Sequence, residues 1–251
     1  MTNQVVLTGM ILSVSLVGDY DKRFVLLTAE RGKVTVFARG ARRQKSNIMA
    51  VTEAFTYGKF TLFEGRDAYS FVSADVQEYF MAVKEDLQAV AYASYFAEFA
   101  EHLTRENMRE KNILKLLYVT LKVLGAKRIE FPLIRCIYEI KLLSYYGLQM
   151  QVFHCVSCEK EGEHYVFRAA LGGICCLDCA KKSSRENILN TSTLYTLQYI
   201  ISSEIEKLYT FRVTLNVQKE LETICKEYRN EHVERKFKSL DFLECIEAMS
   251  E

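Results

Sequence analysis

Residues Arg31–Ser46 read RGKVTVFARGARRQKS and contain six basic residues and no acidic one. The first half alternates as a β-strand does, with two valines on one side and Lys33, Thr35 and Phe37 on the other. Gly40 interrupts the alternation, and a short basic loop follows. A strand that leads into such a loop presents cations to phosphate groups from a rigid base. The alternative is a solvated hairpin whose charges only maintain solubility.

The residues before this stretch and after it, up to about residue 80, have the pattern of short β-strands separated by turns. Five or six short strands in fewer than 80 residues predict a small barrel. An oligonucleotide/oligosaccharide-binding (OB) barrel is favoured, because a basic strand face with the aromatic neighbours Phe37 and Tyr57 is suited to holding single strands. A small β-sandwich fits the pattern nearly as well. The predicted strands lie within Gln4–Val17, Phe24–Thr28, Lys33–Ala38, Phe55–Glu64 and Tyr69–Gln77.

After Phe80 the hydrophobic residues recur at the spacing of amphipathic helices. The only proline, Pro132, falls where the first turn of a helix tolerates it, and Gly125 is expected to end the preceding helix. The predicted fold class is therefore α+β, with an OB-fold domain at 1–80 and a helical domain at 81–251. The predicted helices are Lys84–Leu103, Asn112–Leu124, Pro132–Gly147, Ser192–Leu208, Leu215–Tyr228 and Leu240–Met249.

Two Cys-x-x-Cys pairs, Cys155/Cys158 and Cys176/Cys179, are separated by 17 residues. This spacing is typical of a structural zinc site, in which each pair forms a tight turn and four thiolates complete a tetrahedron. Gly172–Gly173 supplies the turn ahead of the second pair. Four protein ligands leave no open position for catalysis, so we expect one structural Zn²⁺ per chain, in an insertion at about 152–182.

The ligand set has alternatives. Cys175 adjoins the second pair and is separated from Cys179 by three residues, although the symmetric spacing favours Cys176. His154 and His164 are substitute ligands. Two alternative interpretations of these cysteines need no metal. They could be a redox pair, although no βαβ pattern surrounds them, or they could be reduced cysteines of the core. The second is the expected state of the remaining cysteines, Cys136, Cys225 and Cys245.

The composition is that of a folded chain whose charges nearly cancel. Of 251 residues, 49% are hydrophobic and 26% are charged, and the formal net charge is +1. Phosphate binding would therefore depend on the local basic cluster. Residues 1–18 are uncharged but lack the basic start of a secretory signal, and polar residues interrupt them at strand spacing. Eight cysteines without an export signal indicate a reducing compartment, so we expect a cytoplasmic protein.

Catalytic motifs are not apparent in the sequence. There is no Gly-x-x-x-x-Gly-Lys phosphate loop, no nucleophile elbow and no His-Glu-x-x-His. The four histidines are scattered along the chain, and acidic pairs such as Glu106 and Glu110 have the spacing of solvated helix faces. The expectation is therefore a protein that is not an enzyme.

The chain resembles the RecO family of bacterial recombination mediators. The most specific likeness is Gly40–Ser46, which reads GARRQKS and follows Gly32, Lys33 and a short strand. The two cysteine pairs, the glycine pair before the second of them and the late segment Lys238–Leu243 extend the likeness over nearly the whole chain, in order. The doubled cysteine at 175 and 176 is the one departure.

The resemblance implies a non-enzymatic, nucleoid-associated protein of recombinational DNA repair. Such proteins bind single- and double-stranded DNA, anneal complementary strands and contact the C-terminal tail of single-stranded DNA-binding protein. With RecR they help to load RecA onto coated strands, and they need no membrane. An adaptor that does not bind DNA directly is the alternative. The matching DNA-contact candidates are Lys33, Arg39, Arg42, Arg43 and Lys45, and the zinc candidates are Cys155, Cys158, Cys176 and Cys179.

Overall fold

The computed structural model describes residues 3–162, 164–180 and 188–249, which form two compact units. Unit 1 combines the residues up to Ala126 with those from Phe237 onward, and unit 2 is Lys127–Lys236. Residues 163, 181 and 182 of the predicted insertion lie outside the described residues. The domain boundary at residue 80 stays a prediction, while the barrel shares unit 1 with the residues that directly follow it, up to Ala126.

Unit 1 is built on a closed five-stranded barrel in the order β1-β2-β3-β5-β4. Neighbouring strands are antiparallel except for β3 and β5, which are parallel, and β1 pairs with both β2 and β4. Closure confirms the predicted OB-like barrel and excludes the sandwich. The strands are β1 (Gln4–Val17), β2 (Asp21–Thr28), β3 (Gly32–Ala38), β4 (Tyr57–Glu64) and β5 (Tyr69–Glu78).

Alternation along the strands fills the barrel with one set of side chains and exposes the other. In β3 the two valines are buried, whereas Lys33 and Thr35 are half-buried and Phe37 is exposed, as the sequence predicts. The largest side chains of the barrel core include Phe24 and Phe60, whose ring centroids lie 6.3 Å apart. The core extends beyond the end of β3, since it contains Ala41 as well as Ala38, the last residue of the strand.

Four helices complete unit 1: α1 (Met81–Lys84), α2 (Leu87–Leu103), α3 (Lys111–Ala126) and α7 (Lys238–Ala248). The prediction of one helix over Lys84–Leu103 is wrong, because Asp86 adopts an extended backbone and starts a new helix by accepting the N–H of Ala89 at 2.8 Å. α2 is apolar over most of its surface, and α7 packs against it. Phe237, just before α7, lies 4.9 Å from Phe99 of α2 between ring centroids.

The expectation that Gly125 ends α3 is also wrong. The helix continues to Ala126, and Lys127 adopts the left-handed conformation that ends it. A Cβ at position 125 would lie 3.3 Å from the Cβ of Ala82. Glycine is therefore present so that α1 and α3 can approach closely.

Unit 2 contains α4 (Phe131–Tyr146), α5 (Thr191–Ser202) and α6 (Leu215–His232). α4 has Pro132 in its first turn and ends at Gly147, where φ is +96°, as predicted. The predicted helix Ser192–Leu208 is shorter in the structure: α5 stops at Ser202, and a single 3-10 turn follows. A buried ion pair of 2.8 Å between Glu139 and Arg229 links α4 to α6.

The cysteine-rich part of unit 2 contains a hairpin that the sequence did not predict. β6 (Tyr165–Arg168) pairs with β7 (Gly173–Cys176), and Gly172 in the turn has φ of +80°. A Cβ on Gly173 would overlap the carbonyl oxygen of Gln151, so the glycine pair allows a tight turn and a close backbone contact.

Two smaller features complete the description. Of the three cysteines expected in the core, Cys136 and Cys225 are buried, but Cys245 is exposed, so that part of the expectation is wrong. Over the described ranges, no helix is both long and apolar enough to cross a membrane.

Candidate nucleic-acid interface and metal centre

The basic loop, residues 39–45, is fixed to the end of the barrel by its one apolar side chain. Ala41 is fully buried in the barrel core, while the arginines beside it are exposed. Backbone hydrogen bonds add to this anchor: Arg42 donates its N–H to the Tyr20 carbonyl at 2.8 Å, and Gly40 donates to the Asp21 carboxylate at 2.8 Å. The cations thus project from a backbone that is held in place.

The charges of the loop are not neutralised by ion pairs. Arg39, Arg42, Arg43 and Lys45 are all exposed, and within 3–162, 164–180 and 188–249 none of them has a carboxylate partner. The Arg42 guanidinium donates weakly to the Gly18 carbonyl at 3.3 Å, and the Arg43 guanidinium lies 5.8 Å from the Tyr20 ring centroid. Four unpaired cations on one loop produce a local positive potential despite the small net charge.

Lys33 is placed differently from the other DNA-contact candidates. Its ammonium group donates to the Glu101 carbonyl at 2.7 Å, at the end of α2, and its side chain is only half exposed. Arg31 is also occupied, since it bonds the Glu64 carboxylate and the Tyr69 hydroxyl, both at 2.7 Å. The structure therefore brings four of the five candidates together and places Lys33 in a contact with α2.

Two residues beside the basic loop were missed by sequence reasoning. Arg23 lies directly opposite Phe37 in the β2–β3 register, and both side chains are exposed. Tyr20 is 54% exposed in the β1–β2 turn, next to Arg43. The antiparallel register of β2 and β3 is the signal that would have found Arg23, because its side chain must then lie on the same face as Phe37.

Tyr57 was expected beside the basic strand, and this expectation is wrong. It lies on β4, which pairs with β1 and β5 and not with β3. Its ring instead packs against Tyr118 of α3, at 4.7 Å between centroids. The aromatic residues next to the basic loop are Phe37 and Tyr20.

The four cysteines of the two Cys-x-x-Cys pairs converge in unit 2, with their sulfur atoms all within 4.8 Å of one another. The Sγ atoms of Cys158 and Cys176 are 3.7 Å apart. A tetrahedral Zn–thiolate site with bonds of about 2.3 Å has sulfur atoms roughly 3.8 Å apart, so the cluster has the right size. Among the described residues, this is the only group of three or more potential ligands close enough together to hold one metal ion. It contains neither His154 nor His164.

Backbone hydrogen bonds place the first pair against the hairpin. The N–H of Val156 donates to the Ile174 carbonyl of β7 at 2.9 Å, and the N–H of Cys176 points at the Cys155 sulfur at 3.3 Å. Burial raises the pKa of the Cys155 thiol, but backbone N–H groups, first that of Cys176, outweigh it and lower the pKa to about 6. Neighbouring thiols, first that of Cys158, raise the pKa of Cys179. A divalent cation would allow all four groups to be thiolates.

Cys175 lies beside this centre but does not belong to the group of four sulfur atoms that are all within 4.8 Å of one another. It is buried, and its sulfur lies 4.0 Å from that of Cys155 and 3.8 Å from the Ser157 hydroxyl. The structure therefore groups Cys176 with the other three cysteines, as the symmetric spacing favoured. Whether all four bind a metal stays a prediction.

Comparison with known proteins decides the family. A family model described as Recombination protein O N terminal matches residues 1–80, and one described as Recombination protein O C terminal matches residues 84–241. The chain belongs to the RecO family.

Curated RecO relatives match along almost the whole length of the chain. A protein named DNA repair protein RecO from Alkaliphilus metalliredigens is 30% identical over 240 residues, which cover 95% of this chain and 98% of the relative. A protein of the same name from Symbiobacterium thermophilum is 31% identical over 243 residues, covering 95% and 96%. The counterpart from Thermoanaerobacter sp. is 29% identical over 241 residues, covering 96% and 97%.

Two arrangements with different chemistry thus occur in this RecO-family chain. Unit 1 carries an exposed cluster of cations beside exposed aromatic rings, which is suited to phosphates and unstacked bases. Unit 2 carries a closed set of four thiols, which is suited to a structural metal rather than to catalysis.

Proposed function

We propose that this chain is a non-enzymatic, DNA-binding recombination mediator of DNA repair. The observation that carries the proposal is the basic loop: four exposed cations that have no carboxylate partner in the part of the chain that the structure describes, held at the end of an OB-like barrel by the buried Ala41. Loops of this kind contact phosphate groups, and OB barrels commonly bind single strands. Membership of the RecO family, whose curated relatives are named DNA repair proteins, supports the same function.

The mechanism is electrostatic. When Arg39, Arg42, Arg43 and Lys45 contact phosphates, they release the counterions condensed on the DNA, and binding weakens as salt rises. Phosphate contacts carry little information about base identity, so binding to single- and double-stranded DNA should be nearly independent of sequence. The exposed rings of Tyr20 and Phe37 add stacking for unpaired bases.

The remaining parts of the proposal follow from the family. The chain anneals complementary strands by reducing the repulsion between their phosphates. It binds the acidic C-terminal tail of single-stranded DNA-binding protein and, with RecR, helps to load RecA onto strands coated by that protein. These activities need binding surfaces and no reactive group, which agrees with the closed thiol cluster and the absence of catalytic motifs in the sequence.

The cysteine cluster is proposed to hold one structural Zn²⁺ through Cys155, Cys158, Cys176 and Cys179. The size of the cluster and its all-thiol donors suit zinc. The ion would link the segment before β6 to the end of β7, a part of unit 2 whose hairpin has two strands of only four residues each. Its contribution is therefore to folding.

The DNA proposal is tested by fluorescence anisotropy of a labelled single strand, titrated with protein at several salt concentrations. Arg42→Ala with Arg43→Ala should weaken binding and make the slope of log affinity against log salt shallower by roughly 0.7 for each lost phosphate contact. The matched control is Lys219→Ala with Lys226→Ala, which removes two exposed cations from α6 that have no carboxylate partner among the described residues.

Equal loss of affinity in both double variants would show that only net charge matters and would refute a site at the basic loop. A wild-type protein that binds no DNA even at low salt would favour the adaptor that acts only through proteins.

The metal proposal is tested by elemental analysis of protein that has not been exposed to chelator. We expect close to one zinc per chain, and much less in a Cys176→Ser variant. A Cys175→Ser variant should keep its zinc. If Cys176→Ser kept its zinc and Cys175→Ser lost it, the third ligand would be Cys175 and not Cys176.

A further inference from the structure

Unit 1 contains a second cationic and aromatic site near the start of β3, at the other end of this strand from the basic loop. A cavity of about 550 Å³ lies between the barrel and α3, and we call it the β4–α3 groove. It is lined by residues of β1, β4 and α3, by the turn before β3 and by the segment before α3. Its lining includes Thr8, Glu30, Tyr57, Arg109, Lys111, Lys115 and Tyr118.

Two tyrosines form the aromatic part of the groove. Tyr57 and Tyr118 are both half-buried, and their ring centroids are 4.7 Å apart at an interplanar angle of 54°. Phe80 supports Tyr118 in an edge-on contact at 5.4 Å between centroids. The pair is thus a fixed aromatic surface with part of each ring accessible, as stacking of an unpaired base requires.

Three exposed cations form the polar part. Lys111 and Lys115 are one helical turn apart on α3, and Arg109 precedes them. In the described ranges, Arg109 and Lys111 have no carboxylate partner. Among the described residues that line the groove, Glu30 alone is acidic, and its carboxylate accepts the N–H of Thr8, at 3.1 and 3.3 Å, so that three cations face one carboxylate. The groove is therefore suited to an anion.

The groove and the basic loop are separated by the length of a strand. Glu30 lies just before β3 and Arg39 just after it, so seven extended residues place the two sites roughly 20 Å apart. The part of the outer barrel face nearest the groove is covered by α2, whereas Arg23 and Phe37 farther along are exposed. In the covered part, Ser13 donates to the Glu101 carboxylate at 2.9 Å, Lys33 donates to its carbonyl at 2.7 Å, and Leu27 is fully buried.

We propose that the β4–α3 groove is a second site for single-stranded nucleic acid, distinct from the basic loop. Bases stack on the exposed parts of Tyr57 and Tyr118, and Arg109, Lys111 and Lys115 bind the phosphates on either side. Because α2 blocks the direct path across the barrel face, the two sites hold separate segments. One chain then holds two single strands at the same time, which brings complementary strands together. This inference rests on the proposed DNA-binding function.

The test counts short thymidine oligonucleotides bound per chain, by native mass spectrometry at low salt. Wild-type protein should bind two. Lys111→Ala with Lys115→Ala should bind one, with about a tenfold loss in the second association constant. The loop variant Arg42→Ala with Arg43→Ala should also bind one, and the Lys219→Ala, Lys226→Ala control should bind two.

The outcomes separate this inference from the proposed function. If wild type and the groove variant each bind one strand and the loop variant binds none, the groove is not a DNA site and the proposed function survives. If the loop variant equals wild type, the basic loop is not the DNA site, and the proposed function fails at its main observation.

A second measurement needs no substitution. A thymidine oligonucleotide that carries 5-iodouracil should photocrosslink to Tyr57 or Tyr118 in wild-type protein, as mapped by peptide mass spectrometry. Crosslinks confined to the region of Tyr20 and Phe37 would overturn the inference. A labelled acidic peptide that binds wild type and not the groove variant, while the number of bound DNA strands is unchanged, would assign the groove to a protein partner instead.

Discussion

At the scale of single residues, exposure and pairing separate the cations that are free for a ligand from those that stabilise the fold. Lys33 and Arg42 belong to the same basic stretch, yet Lys33 is bound to the end of α2 and Arg42 projects from the loop. The sequence predicts that both bind DNA, because it shows charge and alternation. Nothing in the sequence indicates that Lys33 bonds to the Glu101 carbonyl, which is 68 residues away along the chain.

Lys33→Ala should therefore change stability more than DNA binding. Loss of its hydrogen bond to the Glu101 carbonyl should lower the free energy of unfolding by about 1 kcal/mol. Urea denaturation measures this change, and anisotropy at fixed salt should show DNA affinity within about twofold of wild type. A large drop in affinity with unchanged stability would mean that Lys33 leaves α2 to contact DNA.

Arg23→Ala, in contrast to Lys33→Ala, should change DNA binding more than stability. Its guanidinium lies on an exposed sheet face beside Phe37 and makes one long hydrogen bond, 3.2 Å to the Ser15 hydroxyl. We expect nearly unchanged urea stability and a several-fold weaker affinity for single strands, with the salt slope reduced by roughly 0.7. A variant with full affinity would limit the interface to the basic loop.

At the scale of elements, Gly32 determines how the start of β3 meets the segment after α2. Its φ is +66°, and a Cβ there would overlap the carbonyl oxygen of Arg105. Gly18, in the β1–β2 turn, also has positive φ, at +52°, but nothing lies within 4 Å of the same Cβ position. Alanine substitutions at these two glycines can therefore distinguish the cost of a left-handed backbone from the cost of steric overlap.

Gly18→Ala should cost only the strain of the left-handed conformation, about 1 kcal/mol in the free energy of unfolding. Gly32→Ala should cost clearly more, roughly 3 kcal/mol or above, because the backbone around Arg105 must also move. Thermal and urea denaturation compare the two variants directly. Equal losses would show that the contact at Gly32 relaxes freely.

Glu78 connects the end of β5 to two helices. Its carboxylate accepts the Lys122 ammonium at 2.6 Å and the N–H of Phe80 at 2.9 Å. The Lys122 bond, followed by the Phe80 N–H, lowers the pKa of Glu78 below its ordinary value of 4.5. A lowered pKa stabilises the fold above the unfolded value, and that contribution is lost as pH falls through the lower folded value.

Wild-type protein should therefore lose stability below about pH 4.5, and Glu78→Gln should lose less over the same interval while being less stable at neutral pH. The measurement is the urea midpoint across pH 3 to 7. Glu85→Gln, which removes an exposed charge a few residues along, is the control. Parallel pH curves for wild type and Glu78→Gln would contradict the prediction.

The secondary-structure elements also differ in how well the sequence predicts them. The barrel strands and most of the long helices were predicted close to their observed positions, because period-two and 3.6-residue patterns arise from burial on one face. The hairpin β6–β7 was missed since each strand has four residues, too few to show a period. The cysteine grouping was predicted from spacing, whereas the β4–α3 groove joins residues of four separate segments and leaves no local pattern.

At the scale of the whole molecule, the two candidate sites belong to different compact units. The basic loop is in unit 1, and all four clustered cysteines are in unit 2. Removal of the proposed zinc should therefore act on unit 2 first. Chelator-treated protein should exchange the amide hydrogens of β6 and β7 faster, while those of the barrel strand β2 keep their protection.

Hydrogen exchange with mass spectrometry measures both sets of amides in one experiment, and anisotropy should show that the basic loop of the treated protein still binds DNA. Cys245→Ser, which changes an exposed cysteine outside the cluster, should respond to chelator as wild type does. Simultaneous loss of protection in β2 and in the hairpin would show that the metal stabilises the whole chain.

The position of α7 has a consequence for synthesis. Unit 1 begins with the barrel, but its last helix is encoded after the whole of unit 2. At bacterial translation rates the residues Lys127–Lys236 take on the order of ten seconds to add. During that interval Tyr95 and Phe99 of α2 lack their later contact with Phe237. A nascent chain that stalls within unit 2 thus displays an aromatic surface that chaperones and proteases can recognise, and a finished chain conceals it.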